Sequence, residues 1–123
     1  MKLIQLRPML ESNDLAASIA FYTTILGFTL REKFMDEDSL CWCDLVKDNI
    51  SIMFSLPNQH MNYGRILLSG SLYITVEDVD SLWVTLRDKC EIVYPIENFE
   101  HEMREFAIRD NNGYVLNFGE ATK

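Results

Sequence analysis

Apolar and polar residues alternate along this chain in a rhythm that changes period several times. Residues 3–11 lean to a strand, Leu6, Pro8 and Leu10 alternating with Gln5, Arg7, Met9 and Glu11. Pro8 has no N–H to donate, which suits a sheet edge. Ser12-Asn13-Asp14 then offers helix caps, and Leu15, Ile19, Tyr22 and Leu26 follow at near-helical spacing, widened by Ile25 and ended by Gly27. Three strands come next, Phe28 to Phe34, Leu40 to Val46 and Ile50 to Leu56, separated by the charged turn 35–39 and the tight turn 47–49. The predicted order is β-α-β-β-β.

A polar, glycine-containing connection spans 57–68, and the order then repeats. Ser71 to Val76 predicts a strand. Glu77 and Asp78 open a helix with carboxylates at its positive end, and Val79, Leu82, Trp83, Leu86 and Cys90 form its apolar stripe. Glu91 to Tyr94 reads as a short strand ended by Pro95, and 96–102 as an acidic loop. Met103 to Arg109 and Tyr114 to Glu120 close the chain as a hairpin around Asp110-Asn111-Asn112-Gly113, where glycine supplies a positive φ.

The repetition has a fixed offset of 64 residues. It lays Pro8-Met9-Leu10 on Leu72-Tyr73-Ile74, Asp14-Leu15 on Asp78-Val79, and Ile52-Met53-Phe54 on Leu116-Asn117-Phe118. One module is written twice, over about 1–56 and 69–120, within a single domain of 1–123. Helices repeatedly followed by hairpins exclude a doubly wound parallel sheet. They predict an α+β fold of two βαβββ modules in tandem, with curled mixed sheets enclosing a cleft.

Composition narrows the partners. Eleven basic and nineteen acidic residues give a net charge of −8, which repels a phosphate backbone and excludes nucleic acid as a partner. The same charge favours cationic ligands. No apolar run approaches the roughly 20 residues that span a bilayer, so no membrane partner is expected. The residues after Met1 turn polar too soon for a signal peptide. The three cysteines, Cys41, Cys43 and Cys90, are therefore expected as free thiols in a cytoplasmic protein. Cys41 and Cys43 point the same way from one strand and read as core residues rather than a ligand pair. His60 and His101 sit in polar segments and read as solvated.

The stretch from Arg7 to Phe28, with Phe21-Tyr22 followed by Leu26-Gly27-Phe28, resembles the opening of the vicinal oxygen chelate superfamily (glyoxalases, extradiol dioxygenases and bleomycin-resistance proteins). Arg109-Asp110-Asn111-Asn112-Gly113-Tyr114-Val115-Leu116 is similar to its closing strand and turn, with Asn111 where a proline is usual. The resemblance implies paired βαβββ modules and, in the enzymes, a divalent metal held at four positions, two per module. Arg7 and Ser71, each seven residues before Asp14 or Asp78, match the first-strand pair, and Met53 and Asn117 the last-strand pair. Arginine has no lone pair to give, methionine is too soft, and serine and asparagine bind hard cations weakly without carboxylate company. No metal and no cofactor are expected.

The residues facing the expected cleft are Gln5, Arg7, Met9 and Glu11 on the first strand and Ser69, Ser71, Tyr73 and Thr75 on its twin. Ser51, Met53 and Ser55, with Asn117 and Gly119, come from the last strands. The candidate ligand-binding set is Arg7, Met9, Met53, Ser71, Tyr73 and Asn117, with Trp42 and Phe106 added although the pattern leaves their facing open. A buried guanidinium needs a partner, either a ligand anion or an internal carboxylate, for which Glu105 and Glu120 are the candidates. The resemblance then implies a non-enzymatic protein of the bleomycin-resistance type, a homodimer sequestering an aromatic or cationic organic molecule. A glyoxalase- or dioxygenase-like enzyme is the alternative.

Overall fold

The computed structural model describes residues 1–57 and 68–123. The expected connection 57–68 lies, apart from its two end residues, outside them. The chain divides into two units, Met1–Ile66 and Leu67–Lys123.

In the first unit the Asp14 carboxylate accepts from the Ala17 N–H at 3.0 Å and starts helix α1, Leu15–Ala20. The expected single helix changes character at Phe21. Residues Phe21–Ile25 form a π-helical turn in which the Leu26 N–H reaches back to the Phe21 carbonyl at 3.3 Å. Gly27, at φ 76°, ends it. Tyr22 is fully buried and contacts the rings of Phe28 and Phe54. The strands are β1 (Met9–Glu11), β2 (Thr29–Asp36), β3 (Ser39–Lys47) and β4 (Ile50–Ser55), in the order β1-β4-β3-β2 with β1 parallel to β4. Strand β1 is shorter than the alternation predicted. Pro8 accepts from the Met53 N–H at 2.9 Å but has no N–H to return, the pairing stops there, and Leu3, Ile4 and Leu6 stand exposed.

Helix α1 packs across β3 and β4. Period-two alternation sends Cys43, Leu45, Ile52 and Phe54 to that side, all buried. Each of the larger ones contributes about 1.5–3 kcal/mol of burial. Trp42, Asp44, Ser51, Met53 and Ser55 take the other face, joined through the Met9–Met53 register by Arg7, Met9 and Glu11.

The second unit repeats the plan. Strands β5 (Leu72–Thr75), β6 (Glu91–Phe99), β7 (Met103–Arg109) and β8 (Val115–Ala121) lie in the order β5-β8-β7-β6, β5 parallel to β8. Helix α2 (Val79–Leu86) packs on β7 and β8. Its cap, Asp78, sits in the left-handed region at φ 54° and accepts from Ser81 N. Glu120 closes the same end, receiving the N–H groups of Asp78 and Val79, each at 3.1 Å. Val79, Leu86, Phe106, Ile108, Leu116 and Phe118 fill the core beneath. The closing turn is organised by the buried Asp110 carboxylate, which accepts from Asn112 N and Tyr114 N, with Gly113 at φ 91°. Strand β6 is longer than predicted and runs through Pro95. It is an edge strand, and register shifts on either side of Tyr94 absorb the residue with no N–H. The predicted acidic loop therefore begins only after Phe99.

The fold is thus α+β, two tandem βαβββ modules each built on a mixed four-stranded sheet. Among the described residues no helix is long and apolar enough to cross a membrane.

Candidate functional site

Each sheet has a face turned away from its helix, and on each such face the second strand of the module's first hairpin, β3 or β7, carries one buried carboxylate. In the first unit it is Asp44, with no exposed side-chain surface. Its Oδ1 accepts from Ser51 Oγ at 2.7 Å. Its Oδ2 accepts from Arg31 Nε at 2.7 Å and lies 2.8 Å from Arg7 Nη2. Arg7 Nε donates in turn to Ser51 Oγ at 3.0 Å, which closes the network. Arg31 reaches Asp44 because the register slips between Leu30 and Glu32, placing the extra residue of a β-bulge over the carboxylate. Burial pushes the Asp44 carboxyl up, but the bonds from Ser51, Arg31 and Arg7 outweigh it and hold the group below the usual range.

The partner of Arg7 is therefore internal, one of the two expectations for its guanidinium, but it is neither Glu105 nor Glu120. Asp44 lies one strand beyond β4 on the face Arg7 shares. Glu120 caps α2, and Glu105 has its own partners.

Those partners define the second network. Glu105 Oε1 accepts from Tyr73 Oη at 2.8 Å and lies 2.7 Å from His101 Nε2, while Oε2 accepts from Tyr94 Oη. Tyr94 Oη in turn accepts from Asn117 Nδ2 at 2.7 Å. The Tyr73 phenol crosses directly over Gly119 on its way, and a Cβ at that position would meet its oxygen at 2.2 Å. Burial pushes Glu105 up as well. The bonds from Tyr94, Tyr73 and His101 again prevail, and the carboxyl is held below its ordinary value. Both phenols are raised to about 12, first by burial and then by the carboxylate they donate to. His101 is thus not merely solvated. It is half-exposed, but its Nε2 is spoken for, and its ring lies against Phe99. His60 lies outside the described residues.

The predicted ligand-binding residues divide accordingly. Arg7, Met9, Trp42 and Met53 share the open face of the first sheet, Met9 exposed and Trp42 half-buried, with Met9 opposite Met53 and Trp42 opposite Ser55. Tyr73 and Asn117 stand opposite one another on the open face of the second sheet, and Ser71 is exposed just before β5. Phe106 is a correction. It pairs with Phe118, is fully buried and packs 5.1 Å from Trp83, so it belongs to the α2 core and not to the open face. Asp44, Arg31 and Tyr94 were missed. A carboxylate in the open-face phase of an otherwise apolar strand is the signal that marks Asp44, as it marks Glu105.

Neither open face offers a metal a competent donor set. Among the described residues no group of three or more His, Cys, Asp or Glu side chains is placed to hold an ion. Arg7 donates only, Met53 is a thioether, Ser71 is an exposed hydroxyl, and Asn117 offers only a neutral amide oxygen. The two buried carboxylates have their lone pairs occupied by protein donors.

Comparison with known proteins places the chain. The family model described as Glyoxalase/Bleomycin resistance protein/Dioxygenase superfamily matches residues 6–118. The chain belongs to this superfamily. A comparison with curated proteins yields no match. Among solved structures, the superfamily member is similar to TioX from Micromonospora sp. ML1, with TM-score 0.79 and 18% identity over 96% of this chain and 98% of that one. It is similar to TnmS3, an antibiotic binding protein from Streptomyces sp. CB03234, with TM-score 0.78 and 17% identity over 98% of each chain. It is also similar to the bleomycin-binding protein from bleomycin-producing Streptomyces verticillus, solved with copper(II)-bleomycin, with TM-score 0.69 and 23% identity over 96% of each chain. At these identities the likeness is one of fold.

Proposed function

We propose that this superfamily member is a metal-free small-molecule binding protein that sequesters an aromatic or cationic organic ligand. The observation that carries the reading is chemical. On the resemblance, Arg7, Met53, Ser71 and Asn117 match the positions where the superfamily's enzymes hold their metal, and Arg7 and the Asn117 amide nitrogen are tied into protein networks. Open faces with Trp42, Met9 and Met53 in one unit and Tyr73 in the other suit aromatic ligands held in place by a few polar groups. The bleomycin-binding protein and TnmS3, which share the fold, support a binding role. The formal charge of −8 favours a cation.

A cytoplasmic homodimer is part of the proposal. Leu3, Ile4 and Leu6 form an exposed, strand-prone apolar segment, which suits pairing with a second copy. The test is elemental analysis of protein purified without chelator, combined with a titration of aromatic cations followed by tryptophan fluorescence. The expected result is no stoichiometric metal and saturable quenching. About one metal per chain, or no binding of any organic probe, overturns the reading. A sedimentation mass equal to that of the monomer at micromolar concentration overturns the dimer.

A further inference from the structure

The second network has a direction, and the direction leaves one atom over. Glu105 is an ionised carboxylate and carries no proton to share. The single hydroxyl proton of Tyr94 is therefore donated to Glu105 Oε2. The Tyr94 oxygen can then only accept from Asn117, which fixes the amide with Nδ2 toward the phenol and Oδ1 away from it. Asn117 Oδ1 is buried and has no hydrogen-bond partner among the described residues. A buried acceptor without a donor is costly, and rotating the amide to satisfy it would set its oxygen against the lone pairs of Tyr94.

The surroundings say what kind of donor fits. The half-exposed Tyr73 ring stands opposite Asn117 on β5. Tyr94 lies beyond it with Phe99 packed edge-on at 5.4 Å. Glu105 is balanced by two neutral phenols and His101, and exposed Glu97 is its register partner on β6. The two arginines of β7 are both paired, Arg109 with Glu91 at 3.0 Å and Arg104 with Asp80 at 2.9 Å. The face is thus aromatic and electronegative, with an acceptor waiting. Asn117 as a residue is only half-buried, so its surroundings reach solvent.

We propose that the open face of the second sheet binds a protonated organic amine, with an ammonium N–H donated to Asn117 Oδ1 and the cation lying against the Tyr73 ring. The inference rests on the small-molecule binding reading and names the ligand chemistry of one face. The geometry asks for two properties together: positive charge, for Glu105 and the aromatic rings, and an N–H, for the orphan oxygen.

Three probes built on one benzyl group separate these properties. Benzylammonium has charge and N–H, benzyltrimethylammonium has charge alone, and benzyl alcohol has a donor without charge. Each is titrated into the intact protein, with the Asn117 side-chain amide followed in nitrogen–proton correlation spectra. Benzylammonium is expected to shift that amide saturably and to bind roughly tenfold or more tighter than either other probe. In Asn117→Ala its advantage over benzyltrimethylammonium is expected to vanish while residual binding of both persists. Equal binding of benzylammonium and benzyltrimethylammonium overturns the proposal, as does benzyl alcohol binding as well as the amine, or shifts that spare β5 and β8. Should Asn117→Ala fail to fold, the ratios in the unaltered protein decide alone. If none of the three binds while neutral aromatics quench tryptophan fluorescence, this inference falls and the binding function stands.

Discussion

Asp44 and Glu105 lie on equivalent strands of the two modules, but one pleat apart. Asp44 stands opposite Met53, and Ala107 is its counterpart opposite Asn117. Glu105 stands opposite Gly119, and Trp42 is its counterpart opposite Ser55. The neutralising chemistry differs as well. Two guanidiniums and a hydroxyl hold Asp44, so charge meets charge, and Arg7 and Arg31 keep 29% and 50% of their side-chain surface in solvent. Two phenols and an imidazole hold Glu105, so neutral dipoles supply two of its donors and, among the described residues, no arginine meets it. The same backbone plan thus supports a carboxylate paired with two permanent cations in one module and a carboxylate held largely by phenols in the other. The two modules share the strand plan, and the difference of one pleat and of partner type sets their electrostatics apart.

The comparison can be broken most severely by stripping each carboxylate of its donors. Arg7→Ala combined with Arg31→Ala leaves Asp44 buried with Ser51 as its remaining donor and is expected to destabilise the protein by about 3–5 kcal/mol in urea unfolding. Arg7→Ala alone, with Arg31 and Ser51 still in place, is expected to cost about 1–2 kcal/mol. A single variant as damaging as the double would mean that the two arginines do not share the carboxylate. In the second module Tyr73→Phe with Tyr94→Phe removes two neutral donors and leaves His101, with an expected cost of about 2–3 kcal/mol. If this pair proves more damaging than the arginine pair, the contrast between charge and dipole compensation is wrong.

A smaller effect tests the approach of Tyr73. Gly119→Ala places a methyl group where the phenol passes, so Tyr73 must swing away from Glu105. The expected loss is about 1–2 kcal/mol, and in the Tyr73→Phe background the substitution is expected to cost distinctly less. Additive costs in the two backgrounds would show that the steric contact is not with the phenol.

The mildest test is pH. Both carboxylates are held below their ordinary values of 3.8 and 4.5, so their contribution is complete above those values and is lost as pH falls through the lower folded-state values. At the alkaline end the modules part company. Tyr73 and Tyr94 move from 10 to about 12, so their stabilisation is full below pH 10 and declines as pH rises toward 12. The thermal midpoint is expected to fall across that alkaline window, in step with tyrosinate absorbance, and Tyr73→Phe/Tyr94→Phe is expected to flatten this fall while leaving the acid limb due to Asp44. An identical alkaline limb in that variant would remove the phenols from the account.

What the amino-acid order determined by itself was everything that depends on local repetition. Period-two runs, the caps Asp14 and Asp78, Gly27, and the Asp110–Gly113 turn specify elements through interactions a few residues apart, and the 64-residue offset paired the modules before any contact was known. That offset also identified Met53 and Asn117 as twins, and the strand registers pair them alike, with Met9 and with Tyr73. Element limits were less secure where a proline met a strand. Pro8 cut β1 short, while an edge position and flanking register shifts let β6 continue through Pro95.

Only the tertiary structure decided the partners. That Arg7 meets Asp44 depends on β1 lying beside β4 and β4 beside β3, on a slip of register that lifts Arg31, and on Ser51 filling the gap. That Phe106 faces α2 depends on the phase of β7, which alternation alone leaves ambiguous in the run Phe106-Ala107-Ile108, because both faces are buried there. The unsatisfied Asn117 oxygen is further still from sequence. It follows from the proton of a tyrosine on another strand, committed to a carboxylate on a third. Hydrogen bonds fall off within about an ångström of their optimum, so long-range pairing must be complete before they exist at all.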